Sequence, residues 1–275
     1  MEVKFIKMNP AQNMTILVES PVGRNRHKKV ARELMDYASV HAEQVGYIED
    51  PTDSSAWARL QMMGGEFCGN ATMSLAALLA IDRNLPKGVK CVIPVECSGA
   101  EGPITVTAVP GNVSVRCSLE MPKPRSVAGT VMKSSGRRCP ATVVDLDGIT
   151  HYVVPEEAVR GDKFHWAEKA IQNWAEECRS EALGIILHQR EDNSITPLVY
   201  VKDTGSLVWE RGCGSGTAAL GAVLAHEARK SISAQIAQPG GHIAVRADFR
   251  DGEVARVSIS TQVRLAARGV AYLNI

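Results

Sequence analysis

The sequence predicts an α+β protein of two pseudo-symmetric lobes, each a mostly antiparallel sheet wrapped around one central helix. Three observations predict it. Phe67-Cys68-Gly69-Asn70-Ala71-Thr72 and Gly212-Cys213-Gly214-Ser215-Gly216-Thr217 repeat one pattern, and each runs at once into a small-residue apolar segment. The signals around them recur in the same order, which is how an internal duplication reads. Glu43-Gln44-Val45-Gly46 and Glu181-Ala182-Leu183-Gly184 precede the two motifs; Val95-Glu96-Cys97-Ser98-Gly99 and Gln238-Pro239-Gly240-Gly241 follow them. Finally, each half has one dominant apolar helical run among many short alternating runs, so strands outnumber helices.

Taken in order, residues 3–6 and 14–18 alternate and are β-rich on either side of the Asn9-Pro10-Ala11-Gln12-Asn13 turn. Residues 25–40 carry helical spacing through Val30, Leu34 and Tyr37. Residues 44–48 and 57–63 read as strands, and 68–83 as a helix that is apolar on nearly every face because a sheet surrounds it. Strands follow at 89–94, 104–109 and 113–119, the last two around Pro110-Gly111-Asn112. The second half repeats the plan: strands at 141–144 and 150–154, a helix at 163–178, strands at 184–188 and 197–202, a helix at 213–228, and strands at 232–237, 242–249 and 254–260. The Pro- and Gly-punctuated stretch from Met121 to Gly136 reads as the join. The expected lobes are therefore 1–127, carrying Cys68, and 128–275, carrying Cys213, with the last strand a candidate to return to the first lobe.

A chain of 275 residues is long enough for two lobes that each bury a core. A formal net charge of +1 gives no electrostatic argument for nucleic acid or an anionic membrane, and neither is expected as a partner. The basic clusters around Arg24 to Lys29 and at Arg137-Arg138 are short and read as solvated surface. The N-terminus lacks the apolar core of a signal peptide, and the longest apolar runs, 75–81 and 218–225, are too short to span a bilayer. The expected location is the cytoplasm.

Seven cysteines with no CxxC or CxxH pair support neither a disulfide framework nor a structural zinc site, so no metal is expected. No GxGxxG follows a strand and no GxxxxGK[ST] occurs, so no nucleotide cofactor is expected. Five thiols, Cys91, Cys97, Cys117, Cys139 and Cys178, read as small buried hydrophobes. Cys68 and Cys213 differ because each opens a helix, with a glycine next and a polar residue after it. Unpaired backbone N–H groups and the positive end of the helix dipole favour an anion there and lower a thiol from its usual value of about 8.5. The glycines let backbone come close to a ligand. Two such thiols suggest a symmetric pair of acid/base groups. A cysteine-protease reading would need a partner histidine, and it would leave the duplication unexplained.

These residues resemble the cofactor-independent amino-acid racemases and epimerases of the diaminopimelate epimerase-like fold, over essentially the whole chain. The most specific elements are Cys68-Gly69-Asn70 and Cys213-Gly214-Ser215-Gly216, with Trp209-Glu210-Arg211 just upstream. Within that family the chain is most similar to the histidine racemases that supply D-histidine to opine-type, staphylopine-like metallophores. Asn9-Pro10, Asn13 to Val18, Glu43-Gln44-Val45-Gly46, Glu66 to Ser74 and Gln238-Pro239-Gly240-Gly241 carry that similarity. Two features depart from diaminopimelate epimerases. Ile149-Thr150-His151 stands in place of an Asn-Pro-His element, and only Gly212 separates the Glu-Arg pair from the second cysteine.

The resemblance implies a two-base reaction with Cys68 and Cys213 on opposite faces of the substrate Cα, and no cofactor. It implies that amides around Gly69-Asn70 and Gly214-Ser215 hold the α-carboxylate, that Glu210 accepts from the α-ammonium and that Asn13 touches the substrate. Glu43 is placed to accept from an imidazole, and Arg211 either serves the substrate or balances Glu210. A free amino acid is the expected substrate and a homodimer the expected assembly. The alternatives are a diaminopimelate epimerase, a racemase of another polar amino acid, a phenazine-biosynthesis-type isomerase, which would use a carboxylate base, and a non-catalytic amino-acid-binding protein of the same fold.

Overall fold

The structure, a computed structural model, describes residues 1–134, 136–176, 178–203 and 205–275. Ser135, in the expected join, and residue 177, in the expected third helix, lie outside the described residues. The chain runs β1 (Glu2–Pro10), β2 (Thr15–Val18), α1 (His27–Met35), β3 (Gln44–Glu49), β4 (Arg59–Met62), α2 (Gly69–Asp82), β5 (Cys91–Cys97), β6 (Ile104–Pro110) and β7 (Val115–Met121). It continues through β8 (Ser126–Ser134), β9 (Arg137–Leu146), β10 (Ile149–Pro155), α3 (Lys163–Trp174), β11 (Ala182–Gln189), β12 (Ser194–Val201) and β13 (Ser206–Trp209). Then come α4 (Gly214–Ala228), β14 (Ile232–Gln238), β15 (Gly241–Arg250) and β16 (Glu253–Tyr272). Among the described residues more than twice as many lie in strands as in helices, further toward β than the α+β expectation. Two compact units are present, Met1–Glu120 with Ser260–Ile275, and Met121–Ile259.

In the first unit the strand order is β1-β2-β3-β4-β5-β6-β7-β16. The end of β16 pairs antiparallel with β1, from Pro10 opposite Val263 to Glu2 opposite Tyr272, so the strands close into a barrel. Closure leaves no free edge to attract another chain. Helix α2 packs against β1, β2, β3, β4, β5 and β6. Its residues Gly69 to Leu78 are all buried, which explains why the run is apolar or small on every face. Helix α1 is instead one-sided: His27, Val30, Ala31 and Leu34 are buried at helical spacing and join a core with Val3, Ile16, Val45 and Tyr47.

The second unit follows the order β15-β14-β12-β11-β10-β9-β8, with β13 added on β12. Helix α4 packs against β8, β9, β10, β11, β14 and β15. Helix α3 covers a core of Trp166, Ile171, Ile185, Leu187 and Leu198. The pairing senses within the two units recur in one order. β1–β2 is antiparallel, β2–β3 parallel across α1, β3–β4 antiparallel, β4–β5 parallel across α2 and β5–β6 antiparallel. β9–β10 is antiparallel, β10–β11 parallel across α3, β11–β12 antiparallel, β12–β14 parallel across α4 and β14–β15 antiparallel.

Several boundaries differ from the sequence expectation. The first division falls after Glu120, not after residue 127. Ser126–Ser134, read as part of the join, form β8, which pairs antiparallel with β9; the expected strand at 141–144 lies inside the longer β9. Pro140 is tolerated within β9 because β10 pairs only with Thr142 to Leu146, so no hydrogen bond is lost toward that side. Helix α1 stops at Met35, five residues early. The Asp36 side chain accepts from Ala38 N and its carbonyl from Ser39 N, a turn that competes with further helix. β13 was not expected, and β16 is 20 residues long where only 254–260 read as strand.

Candidate active site

Cys68 is the N-cap residue of α2. It has extended backbone angles, φ −132° and ψ 111°, and its sulfur accepts from Ala71 N. Its carbonyl accepts from Thr72 N at 2.9 Å and from Thr72 Oγ1 at 2.7 Å. The thiol of Cys97, at the end of β5, meets the Cys68 backbone N–H and the Thr72 side chain. Cys97 therefore does more than the packing expected of it, although burial pushes its own thiol up.

Cys213 repeats this construction at the start of α4. It is extended, φ −108° and ψ 110°, and its sulfur accepts from Gly216 N at 3.2 Å. Its carbonyl accepts from Thr217 N at 3.0 Å and Thr217 Oγ1 at 2.6 Å. Gln238, at the end of β14, takes the place of Cys97: its Oε1 accepts from Cys213 N at 2.6 Å and its Nε2 donates to Thr217 Oγ1 at 2.7 Å. Each thiol thus sits on a helix start whose cap residue and fourth helical residue are tied to the strand that follows the helix.

The side chains around the two sulfurs differ. Near Cys68, the thiol donates to Gln44 Oε1 at 2.9 Å, while Gln44 Nε2 donates to Asn13 Oδ1 and to Thr15 Oγ1. Asn13 Nδ2 in turn donates to Glu43 Oε2 at 2.6 Å. The structure so brings Asn13, Glu43 and Cys68 into one network. Gly69 and Asn70, both buried, form the first turn of α2.

Near Cys213, Ser215 Oγ lies 3.5 Å from the sulfur and 2.9 Å from His151 Nε2. His151 is fully buried, and burial drives its pKa down to about 3, so the ring is neutral at physiological pH. Among the described residues its Nδ1 has no hydrogen-bond partner, and it lies against Gly184, where an added Cβ would stand 2.1 Å from it. Register supports this pairing, with His151 opposite Gly184 as Leu17 is opposite Gly46.

Glu210 hydrogen-bonds the Cys213 thiol, and burial pushes its carboxyl up to about 7 against that bond. The Cys213 thiol is itself pushed well up, by burial first and then by the Glu210 charge, against hydrogen bonds from Ser215 and Gly216. Here the sequence expectation of a lowered thiol is corrected: loss of solvent outweighs the helix start. Arg211 is exposed, with Nη2 donating to Pro239 O at 3.1 Å.

Sequence reasoning assigned no role to Gln44, Thr15, Gln238 or His151. Gln44 and Gln238 lie inside recurring motifs, which was the available signal; His151 lay in an element read only as a departure from a pattern.

A family model described as the histidine racemase CntK N-terminal domain matches residues 2–272. A histidine racemase of Staphylococcus aureus (strain Mu50 / ATCC 700699) is 30% identical over 285 residues, covering 99% of this chain and 98% of that protein. A histidine racemase of Fusobacterium nucleatum is 32% identical over 239 residues, covering 86% of each. A phenazine biosynthesis protein of the PhzF family from Bacillus anthracis has the same fold, with a TM-score of 0.69 at 12% identity over 99% of this chain and 100% of that one. With a family match that spans nearly every residue, and relatives at this identity over most of their own length, this chain belongs to the histidine racemase CntK N-terminal domain family.

Proposed function

We propose that this protein is a cofactor-independent isomerase that interconverts L- and D-histidine by thiol/thiolate acid–base chemistry at Cys68 and Cys213. The observation that carries the reading is the matched pair of caps: two sulfurs, each fixed at the start of a buried helix by the same set of backbone and threonine bonds. We read the repeated order of pairings as two pseudo-symmetric halves, each contributing one base.

The α-proton of an amino acid is weakly acidic, so its removal requires charge stabilisation and a base close at hand. One thiolate takes the proton and the other thiol returns one to the opposite face, with the roles exchanging for the other enantiomer. Backbone amides of Gly69, Asn70, Gly214 and Ser215 at the two helix starts hold the α-carboxylate, where the dipole favours negative charge. Glu210 accepts from the α-ammonium, whose arrival favours its ionised form. Asn13 and Glu43 form the polar end that meets the imidazole, and Arg211 stays at the rim. The setting we propose is a cytoplasmic homodimer whose D-histidine feeds an opine-type metallophore.

The test is L-histidine in D2O with exhaustively chelated protein, followed by chirality and α-deuterium. D-histidine labelled at Cα, approaching equal amounts of the enantiomers, is expected. Efficient epimerisation of diaminopimelate without histidine turnover would reject the reading, as would activity lost on chelation and restored by a metal.

A further inference from the structure

We propose that Glu43 is a positioning residue that acts through Asn13 and Gln44 to hold Cys68 as a protonated, hydrogen-donating thiol. The argument follows the direction of each hydrogen bond outward from the one group whose role is fixed. An ionised carboxylate can only accept. Glu43 Oε2, 2.6 Å from the Asn13 amide, therefore selects the Nδ2 end of Asn13 as its partner. That leaves Asn13 Oδ1 facing Gln44, and an acceptor there selects Gln44 Nε2. Thr15 agrees with this choice: its hydroxyl donates to Asn13 O at 3.1 Å, so toward Gln44 Nε2, 2.7 Å away, its oxygen accepts.

With both of its donors committed, Gln44 presents Oε1 to Cys68, 2.9 Å from the sulfur. A carbonyl oxygen accepts and cannot donate, so it favours S–H and disfavours the thiolate. One partly buried carboxylate thereby sets the polarity of a run of hydrogen bonds that ends on a reacting atom. Both sulfurs accept from a backbone N–H, Ala71 at Cys68 and Gly216 at Cys213, so the difference lies in the side chains: the Gln44 carbonyl at Cys68, against the Ser215 hydroxyl and the Glu210 carboxyl at Cys213. Other titratable groups on the Cys68 side include Glu66, two residues earlier in sequence, and the buried thiol of Cys97, which meets the Cys68 backbone N–H.

In Glu43→Gln the end group can donate as well as accept, so Asn13 and Gln44 are free to turn over together and present Gln44 Nε2 to the sulfur. The thiolate then gains a donor in place of a repelling oxygen. The inference rests on the reading of Cys68 as an acid/base group, but its test needs no substrate, so it can fail while the racemase reading stands, and the reverse.

The experiment is the rate of iodoacetamide alkylation of Cys68 and Cys213 against pH, read peptide by peptide by mass spectrometry. Glu43→Gln is expected to move the Cys68 profile to lower pH and raise its rate at neutral pH about tenfold, with the Cys213 profile unchanged, because the thiolate fraction controls reactivity. Gln44→Met, which removes the acceptor, is expected to shift Cys68 in the same sense, and adding Glu43→Gln to it should change nothing more. Should Glu43→Gln fail to fold, seen as labelling of buried Cys97, Asn13→Leu cuts the same run in its middle and is expected to reproduce the shift. An unmoved Cys68 profile, a shift shared equally by Cys213, or the full Glu43→Gln effect persisting in the Gln44→Met background would overturn the proposal; the last would mean that charge acts through space.

Discussion

Glu210→Gln should stabilise the fold above neutral pH while disabling the site. The Glu210 carboxyl is carried from an ordinary 4.5 up to about 7, chiefly by burial, with the bond to Cys213 working the other way. Its protonated form is the one the folded state prefers. Between 4.5 and 7 the folded protein holds a proton that the unfolded chain has released, so stability falls as pH rises through that window. The contribution is complete below 4.5 and gone above about 7. At about 1.4 kcal/mol for each tenfold change in proton affinity, the loss is about 3 kcal/mol, an upper figure because the residue is only half-buried. Glutamine is neutral at every pH and does not suffer it. Unfolding followed from pH 4 to pH 8 should show the variant and the parent nearly equal at the acid end. The variant should pull ahead above neutrality, by roughly 6–12 °C in midpoint for a chain of this size. Histidine turnover should be lost at the same time, because the proposed acceptor for the ammonium has lost its charge. A stability difference that is constant across pH, or that favours the parent at pH 8, would refute the buried-carboxyl argument.

Two further outcomes are expected. Cys68→Ser and Cys213→Ser should each abolish racemisation, because a hydroxyl is far too weak an acid or base for this proton; each should retain α-proton exchange with one enantiomer only, of opposite hand, and equal residual exchange of both enantiomers in both variants would count against two opposed bases. Gly184→Ala should cost about 3 kcal/mol, since the new Cβ would lie 2.1 Å from His151 Nδ1 in a ring with no exposed surface, and a thermal midpoint within 2 °C of the parent would show that the ring can yield.

Much of the architecture was legible because duplication is visible in residues. The repeated Cys-Gly motif located both caps, and the lack of any polar stripe in residues 69–82 and 214–228 announced helices enclosed by strands. What stayed hidden has physical reasons. β8 and β9 carry Gly129 and Pro140 within their spans, and nothing local shows that β10 leaves Pro140 unpaired on its side. The length of β16 is set by its partner β1, 253 or more residues away in sequence, which no local periodicity reports. In the site, residue type identified the two sulfurs, whereas Gln44 and His151 act through the direction of hydrogen bonds, and direction depends on neighbours that only folding supplies. The same limit explains the corrected thiol: a helix start can be read from sequence, but the burial that outweighs it at Cys213 cannot.

The two caps are alike in their backbone and unlike in what faces the sulfur, and a racemase can tolerate that difference. Enantiomers have equal free energy, so the equilibrium constant is one however the protein is built. That fixes only the ratio of kcat/KM in the two directions, which must be equal; kcat and KM can each differ, provided they differ together. A carbonyl acceptor at Cys68 and burial with a raised carboxyl at Cys213 both favour S–H in the unliganded protein, but through different partners. For either enantiomer one thiol must therefore give up a proton before it can act as base, and the partners it leaves differ between the two sides. The inequality should appear as different saturation behaviour for L- and D-histidine at one pH, with equal kcat/KM, and Glu43→Gln should change the difference between the two saturation curves by releasing the Cys68 side alone.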